Sequence, residues 1–523
     1  MCNTLTGYPE SLWAHERRPQ GPTAYELAVI GVIMIVGTAV ATIPAFLHWF
    51  VLPVTLLGIL VGGDAVKWLR GRLDLFSPLG LFSVFGVYFF FLAPLLQIAL
   101  GYRTLYTPAQ PEDYRPWLGI TAVLNLIGLA LFRTCLNWCL RQQSRTPLRS
   151  HWSVDPPDFR FLLSGLMCAS ACAQAYVYFR FGGLSGYVHA FETTKDSFVG
   201  WGWLFVVSES FPVLLAMFIL TSSQSQRWRG WQSVAALCLT VGLTAIVFGG
   251  LRGSRSNTVF QVVWAIGAFH LWIKKVSRPR IALMSAGIIC FMYFYGFYKD
   301  FGSHAVNIVS SVEAQRVAVS KSHRDFLGML LGDLGRADVQ ATLVKRSVDS
   351  ALDLAWGRTY LGAIELLIPR QFWPERPPTK TKELTEAEYG KGTYREGVFF
   401  TSHVVGLAGE AVLNFGIIGI PLVFGVFGLF VGKAEAFYRA LGPRDSRLLL
   451  MPWVSMFTCM GLSGDSDNHV FNVIKYLAIP MVVVGVGSTR VRQAAKGVGR
   501  RATGNLLSGR RLLVRASGHR PWT

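Results

Sequence analysis

Long apolar runs recur along the whole chain, and no other feature of the sequence restricts its fold as strongly. Runs of about 18 residues or more recur, which is enough to cross the hydrocarbon core of a bilayer as a helix. The composition agrees, because 52% of the 523 residues are hydrophobic and only 15% are charged, against about 25% in soluble domains. The chain is therefore predicted to be an all-α polytopic integral membrane protein.

About twelve transmembrane helices are predicted, and one large outer loop separates the ninth from the tenth. The predicted spans are 27–45, 47–63, 77–100, 116–139, 161–179, 202–221, 232–249, 257–273, 281–298, 412–432, 448–463 and 470–487. The loop shows helix-like apolar spacing at 305–320 and 336–355, whereas its charged stretch 379–396 is expected to be mobile. The chain thus divides into an N-terminal tail, nine helices, the loop, three helices and a basic C-terminal tail: 1–23, 24–298, 299–402, 403–488 and 489–523.

The formal net charge of +20 is distributed unevenly between alternate loops. One set of loops and both tails together hold 28 Lys and Arg residues, and the opposite short loops hold six: Arg103, Arg115, Arg180, Lys195, Arg252 and Arg255. Because positive residues favour the cytoplasmic side, both termini are predicted to be cytoplasmic and the large loop external. This placement explains the charge without a nucleic-acid partner.

The eight cysteines, none in the large loop, give no disulfide framework or zinc pattern.

A Gly-rich turn, 249–257, carries Arg252 and Arg255 on the predicted outer face. Short outer loops normally lack basic residues. Ser256 or Asn257 is expected to N-cap the helix that follows, which would place both guanidinium groups beside the positive end of that helix. Two interpretations remain open. Either the turn binds a phosphate group, or the two arginines snorkel to lipid headgroups.

Isolated charges inside or beside the spans supply further candidates. Glu209 and Lys475 lie at comparable outer depth, and they predict either a mutual ion pair or a polar substrate cavity. Asp465 and Asp467 in the last outer turn predict an N-cap with an acidic first helical turn, or alternatively a divalent-cation site.

His403 and Glu410 stand before the tenth span, seven residues apart. If this stretch is helical, both side chains project from one face at the outer membrane surface. Either is a candidate general base. The alternative for Glu410 is a packing or capping role.

Several short motifs resemble those of the Wzy-type O-antigen polymerases, which are also called oligosaccharide repeat-unit polymerases. They are Phe76-Ser77-Pro78-Leu79, Phe181-Gly182-Gly183-Leu184, Gly253-Ser254-Arg255, Ile368-Pro369-Arg370 with Trp373-Pro374, and Gly409-Glu410 with Asn414-Phe415-Gly416. The resemblance covers roughly residues 25–488. Arg376 departs from the family pattern, which usually shows Lys there, and His403 is similar to the histidine of the related O-antigen ligases.

The resemblance implies a metal-independent membrane glycosyltransferase without a cofactor, in the bacterial inner membrane. Its substrate would be an oligosaccharide on undecaprenyl diphosphate, and a flippase and a chain-length regulator would be its partners. Glu410 or His403 would accept the hydroxyl proton, and Trp373 and Asn414 would contact the glycan. The diphosphate would be held by the arginines Arg252, Arg255, Arg336, Arg370 and Arg376.

Three alternatives stay open beside polymerisation. O-antigen ligase-type transfer would use the same donor with another acceptor. A flippase or exporter of lipid-linked sugars would also place arginines near phosphate, but in a cavity open to both sides. A metal-dependent sugar transferase would use Asp465 and Asp467 as ligands.

Overall fold

The computed structural model describes most of the chain between residues 22 and 492. The described ranges are 22–104, 107–143, 150–154, 156–193, 195–198, 200–222, 230–253, 255–302, 305–322, 326–368, 373, 380–395, 398–401 and 403–492. Helices dominate these ranges. The mostly helical architecture predicted from the sequence is therefore confirmed.

The described residues that precede the large loop form twelve α-helices. They are α1 (Ala24–Thr42), α2 (Val51–Leu69), α3 (Pro78–Val87), α4 (Ala93–Ala99), α5 (Arg115–Gln143), α6 (Pro156–Arg180), α7 (Gly183–Thr193), α8 (Gly202–Ser208), α9 (Phe211–Ser222), α10 (Trp231–Phe248), α11 (Arg255–Trp272) and α12 (Arg278–Phe301). A π-helical segment, Tyr88–Leu92, joins α3 to α4.

The described residues from the large loop to the C-terminal side of the bundle form ten further helices. Five lie in the large loop: α13 (Ala305–Val309), α14 (Val312–Ser322), α15 (Ala337–Val348), α16 (Arg358–Glu365) and α17 (Thr381–Tyr389). The last five are α18 (Gly406–Phe415), α19 (Gly419–Ala440), α20 (Met451–Ser463), α21 (Ser466–Val473) and α22 (Ile479–Val486).

Within the described part of the chain, ten helical segments are long and apolar enough to cross a membrane. The two other predicted spans coincide with α11 and α20, which are not among the ten. The 13 residues of α20 rise only about 20 Å, less than the hydrocarbon core of about 30 Å. A membrane protein of about ten spans is thus supported, and the number twelve stays a prediction.

The connections between helices gather at two ends of the bundle. We call one the basic end; there Arg278 donates a hydrogen bond to the Leu73 carbonyl (3.1 Å), and the Ser488 hydroxyl donates to the Ser446 hydroxyl (2.8 Å). We call the other the loop end; there the large loop meets the turns that precede α5 and α21. The predicted topology places the basic end in the cytoplasm, and that orientation stays a prediction.

Two buried apolar clusters hold the bundle together. In the first, Phe82 stacks on Phe132 with ring centroids 4.4 Å apart, which ties α3 to α5. In the second, Trp264 stacks on Trp453 with ring centroids 6.1 Å apart, which ties α11 to α20.

Other helices are largely exposed, among them α1 and α12, in which only 17% of the most apolar stretch is buried. Such exposed apolar surface is stable in lipid rather than in water.

A small two-stranded sheet at the basic end was not predicted. β1 (Ser150–Val154) pairs antiparallel with β2 (Ser488–Arg492), with Trp152 opposite Arg490. The first residues of the predicted basic C-terminal tail therefore form part of a strand. The rest of that tail lies outside the described residues.

The large loop is more ordered than the sequence suggested. The predicted helical regions correspond to α13, α14 and α15. The stretch expected to be mobile contains α17, which corrects that expectation. Its helix forms because Leu384, Ala387 and Glu388 follow helical spacing and are all buried.

The entry into α19 is a sharp corner. Gly416 closes α18 with φ +65°, a left-handed conformation that favours glycine. The 22 residues of α19 rise about 33 Å, so α19 alone is long enough to span the bilayer. Near its other end, Glu435 accepts hydrogen bonds from the Ser77 hydroxyl (2.7 Å) and the Leu79 N–H (3.1 Å). This contact fixes the start of α3 at the basic end.

Candidate active site

Two polar clusters lie at the loop end of the bundle. We call the first the ion triad; it consists of Glu209, Arg252 and Lys475. We call the second the loop cluster; it consists of Lys380, Glu388, His403, Glu410 and Asp465. Both are assembled from residues far apart in the sequence, and they differ in what they leave exposed.

In the ion triad, one carboxylate is shared by two cations. The Glu209 side chain is fully buried, and it pairs with Arg252 through one oxygen and with Lys475 through the other. The Arg252 guanidinium also lies over the Phe205 ring, 3.9 Å from its centroid. Two cations and one carboxylate give the triad a formal charge of +1. The ion pair that the sequence suggested for Glu209 and Lys475 is present, with Arg252 as a third member.

The backbone around the triad explains why these residues meet. A Cβ atom on Gly249 would lie 2.3 Å from Asn257 Nδ2 and 2.7 Å from the Glu209 carboxyl carbon, so only glycine allows this approach. Lys475 lies in a π-helical segment, Ile474–Ala478, between α21 and α22. Such segments change the direction of side chains within a helix and are frequent at functional sites.

The turn itself differs from the prediction. The helix after it begins at Arg255, so Asn257 is an interior residue of α11 and not its N-cap. Asn257 is buried, and its Oδ1 accepts from Tyr476 (3.0 Å) and from Gln261 (3.0 Å). Arg252, predicted to bind diphosphate, forms an ion pair with Glu209. The Arg255 side chain lies outside the described residues.

In the loop cluster, Asp465 caps a helix other than its own. Its Oδ1 accepts from the backbone N–H groups of Val405 (3.0 Å) and Gly406 (2.7 Å), which begin α18. Its other oxygen pairs with Lys380. Asp465 occupies the predicted N-cap position of α21, but its side chain makes no capping bond to that helix. Asp467 does lie in the first turn of α21, 4.0 Å from Lys380.

Glu410 completes the reciprocal contact. Its carboxylate accepts from the Ser466 N–H (2.7 Å), the Ser466 hydroxyl (2.5 Å) and the Thr359 hydroxyl (2.7 Å). Ser466 is the first residue of α21, so Glu410 on α18 satisfies that helix N-terminus while Asp465 satisfies the N-terminus of α18. Glu410 is buried and fully engaged in holding helices together. This geometry favours its capping role over its role as a base.

Asn414 belongs to the same network. Its side-chain amide donates to Thr359 Oγ1 (2.7 Å) and to the Glu410 carbonyl (2.9 Å), and its Oδ1 accepts from the Gly357 N–H (2.9 Å). The side chain is completely buried. A direct contact between Asn414 and a glycan, as the resemblance implied, would require this network to open.

His403 forms a dyad with a buried carboxylate. Its Nδ1 lies 3.0 and 3.1 Å from the two Glu388 oxygens and 2.8 Å from the Thr401 hydroxyl. The Glu388 side chain is 1% exposed and that of His403 is 38% exposed. A carboxylate on Nδ1 fixes the tautomer in which Nε2 carries the free lone pair. His403 precedes the start of α18 at Gly406, so the prediction that it shares a helical face with Glu410 is wrong.

Cationic groups lie beside the dyad's helix. Lys380 stands immediately before α17, and Glu388 lies eight residues later on the same helix. Burial lowers the pKa of Lys380, and the nearby charge of Arg336 acts in the same direction, while Asp467 and Glu410 oppose both. Arg336 itself has φ +58°, unusual for a residue with a side chain, and its Nη1 donates to the Gly332 carbonyl (2.8 Å). The predicted Arg336 is thus within electrostatic reach of the loop cluster.

The remaining predicted site residues are only partly covered. Trp373 is described and 38% exposed. Arg370 and Arg376 lie outside the described residues. Within the described ranges, no three His, Cys, Asp or Glu side chains converge as metal ligands would. Asp465 already has both oxygens engaged, by backbone N–H groups and by Lys380.

Four residues that take part in these contacts were not predicted from the sequence as site residues: Lys380, Glu388, Thr359 and Ser466. The spacing of Leu384, Ala387 and Glu388 was the available signal for α17, and it was obscured by the charges around it.

Comparison with models of known protein families, with curated protein sequences and with solved structures gave no match. The ten long apolar helices of the described chain define the class of protein as a polytopic helical membrane protein.

Proposed function

We propose that this protein is a membrane glycosyltransferase that joins oligosaccharide repeat units carried on undecaprenyl diphosphate. The product would be O-antigen, capsule or exopolysaccharide, made at the outer face of the bacterial inner membrane. The single observation that carries the proposal is the His403–Glu388 dyad, which presents a partly exposed imidazole at the loop end of the bundle. The motif resemblance given above agrees with it.

The proposed reaction assigns separate roles to the dyad and to the cations. His403 Nε2 accepts the proton of the acceptor hydroxyl, and that oxygen forms a bond to the anomeric carbon of the donor glycan. The bond between this carbon and the diphosphate oxygen breaks, and the diphosphate leaves on its lipid. Glu388 positions the imidazole and stabilises its protonated form.

The leaving diphosphate requires charge stabilisation. Guanidinium groups bind phosphate oxygens through paired donors and stay charged at neutral pH. Arg255 in the Gly-rich turn and Arg336 near Lys380 are the proposed contacts, with Arg370 and Arg376 as further candidates from the sequence. Arg252 is assigned to the ion triad. Because arginine side chains supply the charge, the reaction is proposed to need no metal.

The test is polymerisation by the purified protein in lipid nanodiscs with an undecaprenyl-diphosphate-linked repeat unit. His403→Ala should lower turnover by about 10²–10⁴-fold, the usual contribution of a general base. Glu388→Gln should lower turnover less and leave KM unchanged, as expected of a positioning residue. Excess EDTA should leave the rate of the wild-type protein unchanged.

A matched control is His189→Ala, which removes another exposed histidine of the loop end, on α7. This variant should retain wild-type turnover. Normal turnover of His403→Ala would refute the assignment of the base. Loss of activity in EDTA with recovery in Mg²⁺ would refute the metal-free mechanism.

A second candidate function is ligase-type transfer, which the same dyad favours because a histidine base serves any acceptor hydroxyl. The two functions differ only in the acceptor. Supplying the assay with either a second lipid-linked repeat unit or a lipid A-core acceptor separates them. Polymerase activity predicts products on undecaprenyl diphosphate alone.

A further inference from the structure

Helix α16 has an inverted distribution of polar and apolar residues. The polar side chains of Thr359 and Glu365 are buried against the protein. The apolar side chains of Leu361 and Ile364 point outward and are 53% and 57% exposed. The turn that follows exposes Leu367 and Ile368 as well. A helix that faced water would place these two kinds of residue the other way round.

A second helix of the same loop has the ordinary distribution. α17 buries Leu384 and Ala387 and exposes Lys382. The two helices are neighbours, because Arg358 Nη2 on α16 lies 3.5 Å from Glu383 on α17. The inverted pattern is therefore a property of α16 and not of the loop as a whole. It requires an apolar environment on one side of this helix.

The start of α16 is fixed at the level where the bilayer should end. Backbone N–H groups of Ala355 and Trp356 donate to the carbonyls of Leu413 (2.9 Å) and Asn414 (3.0 Å) at the end of α18. The spanning helix α19 begins at Gly419, only a few residues further on. Since α19 is about as long as the hydrocarbon core is thick, its first residues mark the membrane boundary.

Exposed apolar residues also mark the start of α19. Ile418, immediately before α19, and Val426 within it are 70% and 67% exposed, as expected of lipid-facing residues. Tyr360 of α16 stacks on Phe415 at the corner, with ring centroids 6.2 Å apart. Trp356 is also exposed, just before α16. Tryptophan and arginine at such a level are typical of membrane interfaces.

We propose that α16 lies in the plane of the membrane interface at the loop end, with Leu361, Ile364, Leu367 and Ile368 in contact with the acyl chains of bilayer lipids. The occupant of this surface is the bilayer itself. This placement of α16 does not depend on the proposed glycosyl-transfer reaction. It has a structural consequence, because Thr359 of the same helix bonds Glu410, and the loop cluster is thereby held at the level of the lipid headgroups.

The experiment measures the environment of single positions on α16. A nitroxide label is attached to Leu361→Cys or Ile364→Cys in an otherwise cysteine-free protein in proteoliposomes, and its collision rates with oxygen and with a nickel chelate are compared. Lys382→Cys on α17 is the water-facing control, and Leu422→Cys on α19 is the lipid-facing control. The ratio of oxygen to nickel collisions at 361 and 364 should match that at 422 and exceed that at 382.

A ratio at 361 and 364 equal to that at 382 would overturn the proposal, because the surface would then face water or await a protein partner. A second measurement uses the unmodified chain and avoids any folding defect of the variants. Lipids with a photoreactive group in the acyl chain should label the peptide 358–368 as well as the peptide that covers 419–430. Labelling of the second peptide without the first would also refute the proposal.

Discussion

The ion triad and the loop cluster are both built around a buried carboxylate that pairs with a lysine from another segment. Glu209 pairs with Lys475 in the first, and Asp465 pairs with Lys380 in the second. In the triad the second cation, Arg252, is bound to the same carboxylate. In the loop cluster a histidine with its own buried carboxylate remains half-exposed.

This difference separates charge that holds the bundle from charge that is available for chemistry. A cation that is locked to a buried carboxylate cannot turn to a substrate without leaving that carboxylate unpaired. Arg252, one of the two arginines that the sequence placed in the outer Gly-rich turn, is of this kind. The imidazole of His403, in contrast, is 38% exposed while it keeps its contact with Glu388.

The largest effect is expected when the triad loses its carboxylate. Glu209→Gln leaves Arg252 and Lys475 buried without a counter-charge, and breaking a buried pair in this way costs about 3–5 kcal/mol. The purified variant in detergent should unfold at a clearly lower temperature than the wild-type protein.

A double variant serves as the control for this prediction. Glu209→Gln combined with Lys475→Met removes the carboxylate and one of the two cations together, so part of the lost stability should return. Equal unfolding temperatures for the wild-type protein and Glu209→Gln would show that the triad does not hold the bundle.

The contrast between the clusters also shows which features were predictable from the sequence. The helices followed from the length of the apolar runs, and the Glu209–Lys475 pair followed from two charges at similar depth in spans. The pairing of Asp465 with the start of α18 joins residues 60 positions apart, and no local periodicity reports such a contact. The His403–Glu388 contact depends on α17, whose few apolar residues stand among charges.

The two arginines of the Gly-rich turn sharpen the comparison. Arg255→Ala should lower polymerisation about tenfold to a hundredfold, since one charge-assisted contact is worth about 1.5–3 kcal/mol. Arg255→Lys should also be impaired, because a point charge does not replace a paired donor. Arg252→Ala should instead lower the unfolding temperature, because it removes a cation from Glu209. Turnover and unfolding are measured on the same preparations, and a reversed assignment would contradict the proposed division of roles.

A smaller effect is expected at Glu410, within the loop cluster. Glu410→Gln replaces an acceptor of three hydrogen bonds with an amide that accepts through one oxygen only. Leaving a buried donor unsatisfied costs about 1–3 kcal/mol, so stability should fall while lipid-diphosphate binding is retained. Thr359→Val removes only one of the three donors and should have a smaller effect. If Glu410→Gln instead loses turnover to the same extent as His403→Ala without loss of stability, Glu410 is the base.

The smallest effect concerns Glu383, at the edge of the loop cluster on α17. Burial raises the pKa of Glu383 above its ordinary value of 4.5, although Arg358 opposes the shift. The folded protein therefore binds the proton more tightly than the unfolded chain. The stability gained by this protonation is fully present below about pH 4.5 and is lost as the pH rises through the folded pKa.

Glu383→Gln, which resembles the protonated form, should unfold at a slightly higher temperature than the wild-type protein at pH 7, and the difference should disappear at pH 4. An ion pair with Arg358 that stabilised the fold would give the opposite result, with the variant less stable at pH 7.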